Sequence, residues 1–301
     1  MKTVQQPPIR VYGLGQCSLD YVVEAEAYPP ADAKCEFRTM EVQGGGPVAT
    51  ALAALSRWGV PSVFAGVIGD DEFGTRIRAT LECEGIELSG LRVRGNSASQ
   101  FAFVVAEPGR GTRTVFWRRP TGQPLTTAEI DTELLCRVEM LYTDGLMIDV
   151  ALEAARLAKS AGVRVVVDAG TLRDGMQELA RSSDAFVVSE HFARRLVGDD
   201  DPTEACRQLA ALGPRLVGVT LGARGYVALE NGEFIRGAAH HVQAIDTTGC
   251  GDVFHAGLAY GLLVGWDTRR CLDFAAWAAS RVATRLGGRA GIPRLADYGM
   301  T

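Results

Sequence analysis

Five short apolar runs punctuate the chain: IRVYGLG (9–15), SVFAGVIG (62–69), RVVVDAG (164–170), AFVVSE (185–190) and LVGVTLG (216–222). Runs with no polar alternation suit strands buried on both faces, and strands separated by helices pair in parallel because the helix carries the return crossover. Helical patterns lie between several of them. PVATALAALSRWG (47–59) is apolar on most sides, and DEFGTRIRATLECEG (71–85) sets Phe73, Ile77 and Leu81 on one stripe at four-residue intervals. The rhythm predicts an α/β fold built on a largely parallel sheet.

Two segments break it. DYVVEAEAYPPADAKCEFRTMEVQ (20–43) and SASQFAFVVAEPGRGTRTVFWRR (97–119) show β-type runs and turn residues without a helical pattern, and EPGRG (107–111) reads as a hairpin turn. These excursions, about 18–44 and 96–120 of a single domain spanning 1–301, are expected to meet in a small separate sheet. Such a sheet serves either as a lid over a cleft or as an edge extension that makes a homodimer. A second hairpin is expected in YVALENGEFIR (226–236), with Asn231-Gly232 at its turn.

A formal charge of −5 and the lack of long basic runs argue against nucleic-acid or anionic-membrane partners, leaving small molecules. Seven scattered cysteines, with no C-x-x-C pair, suggest neither a disulfide framework nor a zinc site, and fit a cytoplasmic setting. The N-terminus MKTVQQPPIRVYG lacks a signal-peptide core, and the apolar 253–266 segment is too short to span a bilayer.

Two phosphate motifs fail on inspection. Gly13-x-Gly15-x-x-Ser18 resembles a dinucleotide fingerprint, but the residues after it alternate like a strand where that motif needs a helix. Gly69 to Arg76 mimics a P-loop without its lysine, and Asp70 and Asp71 read better as caps of the following helix.

DTTGCGD (246–252) is different, since three small residues, Gly249, Cys250 and Gly251, run into an apolar helix that starts near Gly251–Asp252. Backbone N–H groups at a positive helix end suit a phosphate or charge developing on it, and bulky side chains would block approach. Asp252 at the same mouth is placed to take a proton from an attacking alcohol, and the helix end is expected to keep it ionised. Alone, Gly-x-Gly-Asp is equally a helix cap.

DTTGCGDVF resembles the D-T-x-G-A-G-D signature of the ribokinase-like, or PfkB-type, carbohydrate kinases, with Cys250 in the alanine slot. GGGPVATA (44–51) is similar to the family's N-terminal glycine signature, GDDEFG (69–74) to an architectural motif, and TLGARG (220–225) to its nucleotide loop. The resemblance implies a three-layer α/β/α core with a small β-sheet lid. It further implies sugar contacts from Asp20, Gly45, Gly46 and Thr50, and ATP contacts from Ser189, Thr220, Gly222, Gly225 and Gly287. Asp246 and Thr248 take the place where relatives hold a monovalent cation such as K⁺. The family's N-x-x-E magnesium sequence is replaced by Ser189-Glu190-His191-Phe192, so Glu190 is the substitute on offer for Mg²⁺ and is equally a charge at a strand end.

The resemblance thus implies an ATP-dependent kinase of a small sugar, a ketose or ribose-like furanose. GGGPxATA with GGRAGIP (287–293) brings it near a subgroup that includes sulfofructose kinases, in which Lys34, Arg113, Arg118 and Arg119 would meet an acidic substituent. Those four are otherwise solvated charges. A nucleoside kinase of the same fold, or a non-catalytic sugar sensor, are the competing readings.

Overall fold

The computed structural model describes residues 8–299, so most of the stretch read as lacking a signal core lies outside it. The first half contains β1 (Val11–Leu14), β2 (Ser18–Glu24), β3 (Thr39–Gly45), α1 (Pro47–Arg57), β4 (Ser62–Gly69), α2 (Glu72–Cys83), β5 (Glu87–Arg94), β6 (Phe101–Glu107) and β7 (Thr112–Arg118). Next come α3 (Thr132–Leu135), β8 (Met140–Thr143), α4 (Ile148–Ser160), β9 (Arg164–Ala169), α5 (Met176–Arg181), β10 (Ala185–Ser189), α6 (Glu190–Val197) and α7 (Pro202–Ala210). The chain ends with β11 (Leu216–Thr220), β12 (Tyr226–Glu230), β13 (Glu233–Gly237), α8 (Cys250–Leu263) and α9 (Thr268–Val282).

Nine strands form one sheet in the order β13-β12-β11-β10-β9-β8-β1-β4-β5. The five apolar runs supply β1, β4, β9, β10 and β11, all paired in parallel with their neighbours among these and β8 and β5. Only the β12–β13 hairpin runs antiparallel at one edge, turning at Asn231 (φ 49°) and Gly232 (φ 84°). Helices α1, α2, α8 and α9 bury their apolar faces on one side of the sheet, and α4 to α7 on the other. This is the three-layer α/β/α arrangement.

The two excursions meet in a separate four-stranded sheet, β3-β2-β6-β7. It grows directly out of the core, since only three residues separate β1 from β2 and β3 runs into α1 through Gly46. Asp71 caps α2 by accepting from the Gly74 N–H at 2.8 Å and ties that helix to the small sheet through Ser99 Oγ at 2.6 Å. Asp70 is no cap: its carboxylate accepts from the Asn96 and Ser97 N–H groups, and so shapes the turn after β5 instead.

Helix α8 is apolar on nearly all sides, as a helix enclosed by α1, α9 and the sheet must be. An aromatic cluster anchors it. Phe274 of α9 lies 5.0–5.6 Å, centroid to centroid, from the rings of Trp58, Tyr260, Trp266, Trp277 and Tyr298. Among the described residues no helix is long and apolar enough to cross a membrane.

Candidate active site

From β1 the chain places β4 and β5 on one side and the remaining core strands, from β8 onward, on the other, so the topology reverses between β1 and β8. In open parallel sheets a crevice forms outside the carboxyl ends of the strands at such a point. Most of the singled-out residues lie along these strand ends, from segments far apart in sequence. A hollow of about 520 Å³ lies elsewhere: Glu139, Val163, Arg164 and Asp184 line it at the opposite, amino-terminal ends of the strands.

On one flank, Asp20 sits near the root of β2, in register with Gln43 of β3, and Ser18 Oγ donates to its Oδ1 at 2.6 Å. It is 8% exposed, and burial raises its pKa while Ser18 and the guanidinium of Arg289 work against that rise. Gly45 closes on it. A Cβ there would lie 2.0 Å from Asp20 Oδ2, so glycine is what allows the carboxylate its position. Thr50 is buried in the first turn of α1. Lys34 is exposed on the loop between β2 and β3, with no contact that brings it to this carboxylate.

At the centre, Gly249 is the N-cap of α8 at φ 74°, in the left-handed region, with the Gly288 backbone 2.5 Å from where a Cβ would stand. A residue with a side chain would be strained and obstructed there. The helix starts at Cys250, one or two residues earlier than the sequence suggested, which puts Asp252 in the first turn. First-turn amides have no acceptor within their own helix. Of the three expected to face an anion, the Cys250 N–H is turned back at 3.3 Å onto the Thr247 carbonyl, while Gly251 is exposed to the crevice. Burial pushes the Cys250 thiol up to about 12, so it stays protonated at neutral pH.

Asp246 braces this turn. Fully buried, it accepts from Thr248 N–H (2.9 Å) and Oγ1 (2.8 Å) with one oxygen and from the Gly287 N–H (2.8 Å) with the other. Thr247 in turn accepts from Arg113 Nη1 of β7 at 2.7 Å, joining the small sheet to the turn across the crevice.

Contrary to what the sequence alone led us to expect, the helix end does not hold the Asp252 carboxyl low. Although the residue retains some open surface, burial of its carboxyl and then the negative charge of Asp168 push its pKa up to about 7, against the opposing pull of His255 and Arg113. The helix end does not compensate for that much desolvation and like-charge repulsion. A carboxylate poised near neutrality suits a group that must take up a proton.

Several participants escaped the sequence reading. Asp168, at the end of β9 and 6% exposed, receives Tyr142 Oη at 3.4 Å and has His255 Nδ1 at the same distance. Asp144, just past β8, accepts from the Gln16 and Leu146 N–H groups, and burial pushes it up to about 7. Arg173, in the loop after β9, is shifted down by burial and by Arg119 from the small sheet, with Asp144 opposing. Arg289 buries its guanidinium against Gly44 at the end of β3. The available signal was a carboxylate closing an apolar run, as in VVVDAG and MLYTDG, together with a histidine inside an apolar helix.

The nucleotide-loop candidates lie along the same strand ends. Gly222 and Gly225 adopt φ 58° and 89°, closing a turn through Leu221 N–H to Gly225 O at 2.8 Å, and Thr220 Oγ1 donates to Val188 O at 3.4 Å. Ser189 Oγ donates to Gly170 O and accepts from Phe192 N–H, capping α6. Glu190 is held by Arg194 and by Arg224, the latter at 2.6 Å. Two guanidiniums on one carboxylate leave it poorly suited to bind a metal. Gly287 (φ 86°) joins this region to the small sheet, where Gln43 Oε1 accepts from the Arg289 N–H at 2.9 Å.

Comparison with known proteins bears on the family and the fold. The family described as pfkB family carbohydrate kinase matches residues 10–295. An ATP-dependent ribose-1-phosphate kinase from Halopiger xanaduensis is 28% identical over 93% of this chain and 94% of its own. A ribokinase from Arabidopsis thaliana is 28% identical over 91% of this chain and 75% of its own. Among solved structures, a putative ribokinase from Agrobacterium tumefaciens superposes with a TM-score of 0.89 at 24% identity, covering 97% of both chains, which shows the shared fold.

Proposed function

Because the chain belongs to the pfkB family of carbohydrate kinases, we propose that it transfers the terminal phosphoryl group of ATP to a primary hydroxyl of a small furanose or ketose that carries an acidic substituent. The observation that carries the reaction is the position of Asp252: in the first turn of α8, beside the open Gly251, with a pKa raised toward neutrality.

In this reading the sugar lies over the carboxyl end of β1, where Asp20 and the Gly45–Gly46 turn accept and orient its hydroxyls. Asp252 accepts the proton of the attacking hydroxyl. The amides at the start of α8 meet the charge of the transferring phosphoryl, and a donor so placed is worth roughly 3 kcal/mol. Arg113, already bonded to Thr247, adds positive charge at the same turn. The turns at 220–225 and 287–289 flank the nucleotide, and closure of the small sheet excludes water as a competing acceptor. Magnesium, when bound, neutralises charge on the phosphates. Glu190 does not fit as its ligand, because Arg194 and Arg224 already hold that carboxylate.

The acidic substituent is supported by Arg173, whose pKa is lowered first by burial and then by the like charge of Arg119, an arrangement that an anion beside the two would relieve. The Halopiger relative, by its name, acts on a sugar phosphate. The test is ADP release with ATP and a panel comprising a neutral furanose, a neutral ketose, the phosphorylated form of each, and a nucleoside. The expected result is highest kcat/KM on a phosphorylated sugar, with that preference reduced about tenfold or more in Arg173→Gln, the scale of one charged hydrogen bond. Highest kcat/KM on the nucleoside would overturn the reading.

A further inference from the structure

One turn beyond Asp252 on the same helix, His255 is 3% exposed and has oxygen on both edges of its ring. Nδ1 lies 2.7 Å from the Gly251 carbonyl and 3.4 Å from Asp168 Oδ2, and Nε2 lies 3.1 Å from the Val187 carbonyl of β10. Carbonyl oxygens only accept hydrogen bonds, so a neutral ring, with one N–H and one lone pair, would press that lone pair against an acceptor. In a dry site an unmade bond of this kind costs about 1–3 kcal/mol. Two N–H groups satisfy both carbonyls, and the charge this gives the ring has its counter-ion at hand in Asp168.

We propose that His255 is a doubly protonated positioning residue which, paired with buried Asp168, ties the phosphate-facing turn to β10 through Gly251 and Val187 and sets the charge against which Asp252 accepts its proton. The mechanical half follows from connectivity. The Gly251 carbonyl belongs to the turn whose amides face the crevice, so the imidazole joins that turn to the sheet. The electrostatic half follows from placement. The charged groups facing Asp252 are Asp168 from β9, Asp20 from β2, Arg113 from β7 and His255 from α8 itself. Asp168 is faced by His255 and the Tyr142 hydroxyl. Removing the positive member of the pair leaves Asp168 uncompensated next to Asp252, and removing the negative member leaves the imidazolium alone. The two deletions therefore push Asp252 in opposite directions.

The inference rests on Asp252 being the base, and its test is built to read without turnover. Two-dimensional NMR of ¹⁵N-histidine-labelled protein at pH 8 is expected to show both ring nitrogens of His255 in the protonated N–H form; a lone-pair nitrogen resonance for that ring would overturn the charged assignment. Carboxyl ¹³C titration of Asp252 is expected to move up by about one pH unit or more in His255→Gln and down by a similar amount in Asp168→Asn, the scale of one close charge, with an intermediate value in the double variant. Shifts in the same direction, or none, would overturn the positioning role. The wild-type NMR keeps the proposal testable if a variant fails to fold. Failure of the sugar panel with these titrations intact would sink the kinase reading and leave the ion pair standing.

Discussion

Replacing Asp144 by asparagine should change stability with a sign that depends on pH. Asp144 follows β8 at the point where the sheet order reverses, with Oδ2 accepting from Gln16 N–H at 2.8 Å and Oδ1 from Leu146 N–H at 2.9 Å. It thereby fixes the turn that carries the chain from β1 into β2 and Asp20. Burial pushes its pKa from 3.8 to about 7. The folded protein therefore binds this proton more tightly than the unfolded chain does. The stability it confers is complete below about pH 4 and is lost as pH rises through about 7. A shift of about three units at 1.36 kcal/mol each amounts to roughly 4 kcal/mol between those limits. Asparagine never ionises, so it escapes that loss, but it has one acceptor oxygen where aspartate has two, and leaving one amide N–H unmatched costs about 1–3 kcal/mol. The substitution should destabilise by about 1–3 kcal/mol at pH 5 and be neutral or stabilising at pH 8. Urea denaturation midpoints at both pH values, with unchanged m-values, provide the measurement. An equal loss of stability at the two pH values would refute the ionisation argument.

Gly45→Ala would place a Cβ 2.0 Å from Asp20 Oδ2; displacing that carboxylate should raise the KM for sugar by about tenfold or more with ATP affinity kept, and a normal sugar KM would remove Asp20 from the acceptor site. Phe274→Ala empties the centre of the aromatic cluster behind α8, so a loss of about 3–5 kcal/mol is expected. A calorimetric Tm within a degree of wild type would show that the cluster does not anchor the helix.

The layered core was legible because its strands announce themselves: β4 (SVFAGVIG) and β9 (RVVVDA) are too apolar for anything but burial between helices. The small sheet was legible from the loss of helical pattern on either side of it. Asp252 and its glycine turn were legible because they form one contiguous stretch. The partners that set its charge were not, since Asp168 comes from β9, Asp20 from β2 and Arg113 from β7, and they reach Asp252 only once the strands are assembled. That is also why a local argument from the helix end missed the upward shift of Asp252: desolvation and a like charge supplied by a strand over eighty residues away outweigh the local dipole. Glu190 shows the same limit, because Arg224, which helps hold it, lies on another loop.

The most direct test of the account is Asp252→Asn, which keeps the shape of the side chain and removes its ability to accept a proton. Turnover on the best sugar of the panel should fall by about 10²- to 10⁴-fold, while ATP binding measured by calorimetry stays at the wild-type value. Turnover close to wild type in that variant would contradict the assignment of Asp252 as the base.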